Sequence, residues 1–182
     1  MKFKLIAAAG IIILSLCAVL IRFYILSGTK TVSGYDEMYA CGYVPYVDYF
    51  LNIDMDGRVL YITSTVNDNL PVIEGLKFNR FILGGYLETD NDEAFNTIAM
   101  LVKLFEKYGL DEKVINKIDV ANLDDIHLYT NNVDVAFGSH KDADKKIRTL
   151  KEILANLHVA ENIKGLLDIR VISRQYIFTV LT

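Results

Sequence analysis

The sequence predicts an α+β protein: a single N-terminal transmembrane helix followed by an extracytoplasmic antiparallel sheet with two helices packed on one face. Three patterns lead there. One long apolar run carries no charge, two strand pairs have registers that gather apolar side chains on one face, and two segments repeat apolar residues at helical spacing.

The apolar run comes first. Residues 5–21 (LIAAAGIIILSLCAVLI) are 17 residues without a charge, and 23–26 extend them past a single Arg22 that can snorkel to the interface. A cleaved signal peptide would begin in the same way, with Lys2 and Lys4 as its basic start. The exit segment Tyr24-Ile25-Leu26-Ser27-Gly28, however, lacks the two small residues of an A-x-A-like cleavage site. Leu16 before Cys17 stands where a lipoprotein signal needs a small residue. The reading is therefore an uncleaved signal anchor over residues 1–26, retained in the mature protein, with its short tail cytoplasmic under the positive-inside rule and the rest extracytoplasmic.

Residues 27–48 (SGTKTVSGYDEMYACGYVPYVD) are rich in Gly, Ser and Tyr and hold no sustained period, so they read as a linker. Regular structure is expected from Tyr49. With Asp56-Gly57 as a two-residue turn, Met55 would face Arg58, Ile53 would face Leu60 and Leu51 would face Ile62, placing the apolar residues together. Residues 70–75 (LPVIEG) read as a connection. A helix is expected over 92–108, with Phe95, Ile98, Leu101, Val102 and Phe105 on one stripe, cap candidates at 90–92 and Gly109 as the stop.

A strand over 114–120 precedes a second hairpin over 126–137. Its turn would be Asn131-Asn132, with Leu128 facing Val135 and Ile126 facing Phe137. A second helix over 142–157 presents Ile147, Leu150, Ile153, Leu154 and Leu157 on one stripe and Lys145, Lys146 and Lys151 elsewhere. Residues 166–172 and 176–181 then return to strand, the first alternating Leu167, Ile169 and Val171 against Asp168 and Arg170.

Composition narrows the chemistry. Three of the 19 basic residues are Lys2, Lys4 and Arg22, so the outer part carries 16 Lys and Arg against 23 Asp and Glu, a net charge of about −7. No basic patch is available to neutralise phosphates, which argues against nucleic acid as a partner. Cys17 and Cys41 fall on opposite sides of the expected membrane boundary, so the outer domain must hold by packing without a disulfide. No metal and no cofactor is expected: His127, His140 and His158 stand at no ligand spacing from one another, and Asp168 with Arg170 suits an ion pair.

The stretch NIDMDGRVL (52–60) admits a catalytic alternative, a membrane-anchored extracytoplasmic phosphatase using Asp54 as nucleophile and Asp56 as acid/base. Such an enzyme needs a doubly wound parallel sheet, and the alternating strands here favour the turn reading and a non-enzymatic binding module.

From Tyr49 onward the sequence resembles the β-domain of the FtsQ/DivIB family of bacterial cell-division proteins. The resemblance runs in order through YFLNIDMDGRVL (49–60), LPVIEGL (70–76), KYGL (107–110), INKIDV (115–120), IHLYTNNVDVAFGS (126–139), IRTLKEILANL (147–157) and LLDIRV (166–171). It implies three parts: 1–26 as tail and anchor, 27–48 as a linker that could be a remnant of the family's POTRA domain, and 49–182 as the β-domain. It also implies a non-enzymatic divisome scaffold at the septum that binds DivIC/FtsB-like and FtsL-like bitopic partners and regulates septal peptidoglycan synthesis.

The final strand is where a partner is expected. QYIFTVL has no Pro, Gly or charge to blunt an edge, and the chain ends at Thr182, so strand addition is expected along Tyr176, Ile177, Phe178, Thr179, Val180 and Leu181.

Overall fold

The computed structural model describes residues 40–66, 70–89, 91–110, 114–157, 164–172 and 176–180. The expected anchor over 1–26 lies outside these residues, and among the described residues no helix is long and apolar enough to cross a membrane. The described segments contain, in chain order, strands β1 (Ala40–Tyr46), β2 (Tyr49–Asp54), β3 (Val59–Thr63), β4 (Val72–Glu74), β5 (Arg80–Phe81) and β6 (Leu87–Glu88), then helix α1 (Asp92–Tyr108). Strands β7 (Lys117–Asp119), β8 (Ile126–Tyr129) and β9 (Val133–Gly138), helix α2 (Ala143–Leu157), and strands β10 (Gly165–Asp168) and β11 (Ile177–Val180) complete them.

The sheet differs from the purely antiparallel one expected. Nine strands lie in the order β11-β10-β9-β8-β7-β4-β1-β2-β3, with β5 and β6 paired separately. The sheet is mixed: β1 with β4, β4 with β7, and β9 with β10 run parallel, whereas the remaining neighbours run antiparallel. The parallel joints arise because β2 and β3 separate β1 from β4, because β5, β6 and α1 separate β4 from β7, and because α2 separates β9 from β10; such crossovers can return a strand in the same direction.

Two stretches read as irregular belong to this sheet. Residues 40–46, placed in the linker, form β1 and pair with β2 from Ala40↔Asp54 to Tyr46↔Tyr49. Residues 72–74 form β4 in its middle. Gly42 permits the fit, since a Cβ there would stand 2.6 Å from Ile73 Cδ1 and 2.8 Å from the Pro71 carbonyl oxygen.

Register explains the core. Ile73, Ile118, Leu128, Val135, Leu167 and Phe178 are successive cross-strand partners, so one apolar row crosses the sheet to its last strand. Helix α1 adds Ile98, Leu101, Val102 and Phe105 to that core, and α2 adds Ile147, Leu150 and Leu154. Helix α1 has its expected bounds because both ends are chemically marked. The Asn91 side chain accepts from the Ala94 N–H, and Gly109 takes φ +64, the left-handed C-cap that glycine adopts without steric penalty.

In α2, Lys146 departs from the expected pattern. It is 3% exposed, and its ammonium donates to the Phe137 and Ser139 carbonyls at 2.9 Å each. Burial lowers its pKa, and the two carbonyls satisfy donors that would otherwise lie unpaired at the β9–α2 junction.

Both hairpins keep one expected pair and slip at another. Leu51 pairs with Ile62, but a bulge sets Ile53 opposite Val59 instead of Leu60. Leu128 pairs with Val135, but a bulge sets Ile126 opposite Gly138 instead of Phe137. The extra residue twists each strand, and both slipped residues remain fully buried.

Candidate partner-binding edge

Asp54 and Asp56 belong to a turn. Gly57 N–H donates to the Asp54 carbonyl at 3.1 Å, Asp54 N–H donates to the Arg58 carbonyl at 3.0 Å, and Gly57 has φ +81. Met55, Asp56 and Gly57 thus form a three-residue loop ending in a left-handed glycine, in place of the two-residue type I′ turn expected. Asp54 Oδ1 accepts from the N–H groups of Asp56 at 2.9 Å and Arg58 at 2.8 Å, so this carboxylate oxygen organises backbone.

The other candidate groups also have structural employment. Cys41 is buried, and desolvation followed by the Asp54 charge pushes its thiol up to about 12, which suppresses the reactive thiolate. His127 Nδ1 lies 2.7 Å from Asp134 Oδ1 on the sheet face opposite the helices, and its ring stacks on Tyr129. His140 is exposed, and His158 lies outside the described residues. Arg170 Nη2 meets Asp168 Oδ2 at 2.6 Å and holds that carboxyl below the usual carboxylate range. No group of three metal-ligating side chains occurs among the described residues.

Strand β11 stands last in the sheet order, beside β10. Which of its backbone groups face outward follows from β10. Gly165 N–H donates to the Asn132 carbonyl and Ile169 N–H to the Ala136 carbonyl, so Gly165, Leu167 and Ile169 turn their polar groups toward β9. Leu166 and Asp168 therefore turn theirs toward β11, where their partners are Thr179 and Ile177. The N–H groups of Ile177 and Thr179 point into the sheet. Those of Phe178 and Val180 point away from it.

Side chains divide the same strand by face. Phe178 packs on the core beside Tyr176, and its ring occupies the space over Gly165, where a Cβ would come within 2.4 Å of Phe178 Cζ. This glycine, unremarked in the sequence, is what lets the aromatic ring close over the neighbouring strand. Ile177 is 70% exposed and Val180 57% exposed, with Val171 and Ile172 also exposed in the segment leading toward the strand. From Tyr176 to Val180 there is no charged residue; Leu181 lies outside the described residues. The arrangement offers an extended chain two outward N–H groups, their adjoining carbonyls and an uncharged surface, and it brings no nucleophile or acid/base pair to that strand.

No protein-family model matches the chain. Among curated proteins it is similar to the cell division protein DivIB of Clostridium botulinum. It is 26% identical to that of strain Hall and 25% identical to that of strain Loch Maree, each over 129 residues that cover 67% of this chain and 47% of the relative. The chain thus spans about half the length of the curated relatives it matches. Among solved structures, the major extracytoplasmic domain of DivIB from Geobacillus stearothermophilus aligns at 18% identity with a TM-score of 0.39, covering 69% of this chain and 97% of that domain. The similarity to the curated DivIB sequences supports a relationship to the FtsQ/DivIB family of bacterial cell-division proteins.

Proposed function

We propose that the chain is a non-enzymatic, membrane-anchored scaffold of the bacterial divisome, and that β11 is the strand on which a bitopic partner of the DivIC/FtsB or FtsL kind adds its own strand. Through that contact the protein regulates septal peptidoglycan synthesis. The observation that carries the reading is the edge itself: uncharged from Tyr176 to Val180, last in the sheet, with the Phe178 and Val180 N–H groups outward. The name shared by the two curated relatives supports the division context. Residues 1–26 act as the anchor and residues 27–39 as a tether, which raises the effective concentration of a partner held in the same membrane and lets a short strand contact suffice.

The test is co-purification of the full chain with a DivIC-like protein from the same cells, comparing the native sequence with Val180→Pro. Proline removes one outward donor and no ladder bond, so capture should be lost while the chain still accumulates folded. Undiminished capture by the variant would place the contact elsewhere.

A further inference from the structure

We propose that the tip of the β1–β2 hairpin, centred on Val47, inserts into the lipid surface of the membrane that holds the anchor, so that the outer domain rests on the bilayer as well as being tethered to it. The inference rests on the anchor reading above and is independent of β11.

The backbone singles out the tip. Tyr46 pairs with Tyr49, which leaves Val47 and Asp48 as a two-residue loop, and Val47 takes φ +53. A positive φ at the first residue of such a loop suits glycine, and for a β-branched residue it is a strained outlier. The Val47 side chain is nonetheless 85% exposed, so no burial within the described fold offsets that strain. A residue both strained and apolar at an exposed point gains its favourable interaction from outside the fold.

The surrounding residues have the chemistry of a membrane interface. Tyr46 and Tyr49, 41% and 52% exposed, flank the valine, and tyrosine is enriched where a bilayer meets water because its ring is apolar and its hydroxyl is not. Phe78 and Phe81 lie 5.9 and 5.1 Å from the Tyr46 ring and pack against the core, so this aromatic collar is fixed to the fold. Ile82 and Leu83, both exposed, follow Phe81 in the chain and widen the apolar surface. Asp48 is the one charge between Tyr46 and Tyr49, and Arg80 is paired with Glu88 at 2.6 Å. An aliphatic point with an aromatic collar and little charge suits a bilayer, which requires no specific hydrogen bonds. The outer part carries about −7, so the contact works by apolar burial and not by attraction to anionic headgroups.

Reach permits the contact. Ala40 and Tyr46 stand at opposite ends of β1, about 20 Å apart at the usual rise of a strand. The chain from 27 to 39 spans up to about 45 Å when extended, so the tether is long enough for the domain to lay its far end on the surface. Tethering also raises the local concentration of lipid surface, so a small apolar tip suffices.

The test uses the full chain reconstituted in vesicles of phosphatidylethanolamine and phosphatidylglycerol, with Cys17→Ser as background; Cys41 is buried and its thiol is held neutral. Val47→Cys and, at the opposite end of β2, the exposed position Asp56→Cys carry the same fluorophore. Nitroxide-bearing lipid should quench the label at 47 several-fold more than the label at 56, and added salt should leave the difference unchanged. Equal quenching overturns the proposal. Val47→Asn provides a second measurement, because asparagine tolerates positive φ and is unfavourable in hydrocarbon. It should raise the unfolding temperature while reducing several-fold the quenching of a label at Tyr49→Cys, and undiminished quenching overturns the role of Val47.

The outcomes separate the tip from the anchor. A chain that stays with the vesicles through a carbonate wash while its label at 47 is unquenched keeps the anchor and overturns the tip contact. A chain released by the wash overturns the anchor, and the tip contact with it. A cysteine at 47 that is shielded from an impermeant maleimide in cells yet unquenched in vesicles means that a protein covers the tip, and the lipid assignment is wrong.

Discussion

The two ends of the nine-stranded sheet are finished differently. At the β3 end the chain covers the start of its own edge strand. Val59 turns outward, donating to the Gly85 carbonyl and accepting from the Gly84 N–H at 2.8 Å each, and Leu87 N–H reaches the Gly57 carbonyl at 2.8 Å. Two consecutive glycines, Gly84 with φ +75, let that segment approach the strand closely. At the β11 end no described segment bonds to the outward side of the strand, and Ile177 and Val180 lie open. An unpaired row of backbone groups is a template for another chain unless something blunts it. One end is closed at its start by local chain; the other is suited to a second chain.

The largest effect expected is at the open end. Thr179→Pro removes an N–H that points toward Leu166 and should cost roughly 3 kcal/mol, taking the helix-interior penalty as a guide, whereas Val180→Pro should stay within about 1 kcal/mol. Urea unfolding of the two variants side by side measures the difference. Equal destabilisation would mean that β11 is internal and would erase the contrast between the ends.

The covered end provides the converse. Gly57→Ala forces a side chain into φ +81 and brings a Cβ within 3.1 Å of the Phe95 ring, which together should cost about 1–2 kcal/mol. Capture of a DivIC-like protein should be unaffected at concentrations where the variant remains folded. Loss of capture in folded protein would show that the two ends are coupled.

The smallest effect concerns the ion pair beside the open end. Arg170 lowers the Asp168 pKa in the folded state, so its stabilisation is fully present above the unfolded value of about 4 and is lost as pH falls through the folded value. The pair is solvent-exposed on the arginine side, and screening makes this the smallest of the three contributions. Acid unfolding of Arg170→Met against the native chain should differ above pH 4 and converge below it. A difference that grows toward lower pH would contradict the assignment.

Helices and turns were legible in the sequence because their determinants lie within a few residues. Asn91 and Gly109 bound α1, the 3/4 spacing of its apolar residues chooses its buried face, and Asp54 with Gly57 marks a turn whatever its class. The uncharged final strand could be recognised for the same reason, since hydropathy and the absence of Pro or Gly are properties of seven adjacent letters. Lys146 was less legible: a lysine off the apolar stripe suits solvent until the Phe137 and Ser139 carbonyls are brought within reach of it.

Strand order was decided only by tertiary structure. Val72–Glu74 is three residues long and has too few side chains to show a period, yet it lies between β1 and β7 as the sheet's central joint. Residues 40–46 look irregular alone because Gly42 and Pro45 break the alternation, and they become a strand when β2 and β4 supply hydrogen-bond partners on either side. The bulges that move Ile53 onto Val59 and Ile126 onto Gly138 likewise belong to pairs of strands, not to either segment. A backbone N–H or C=O acquires its ladder partner from distant chain, so the local letters specify which face is apolar, while the assembled sheet decides which strand is left at the edge.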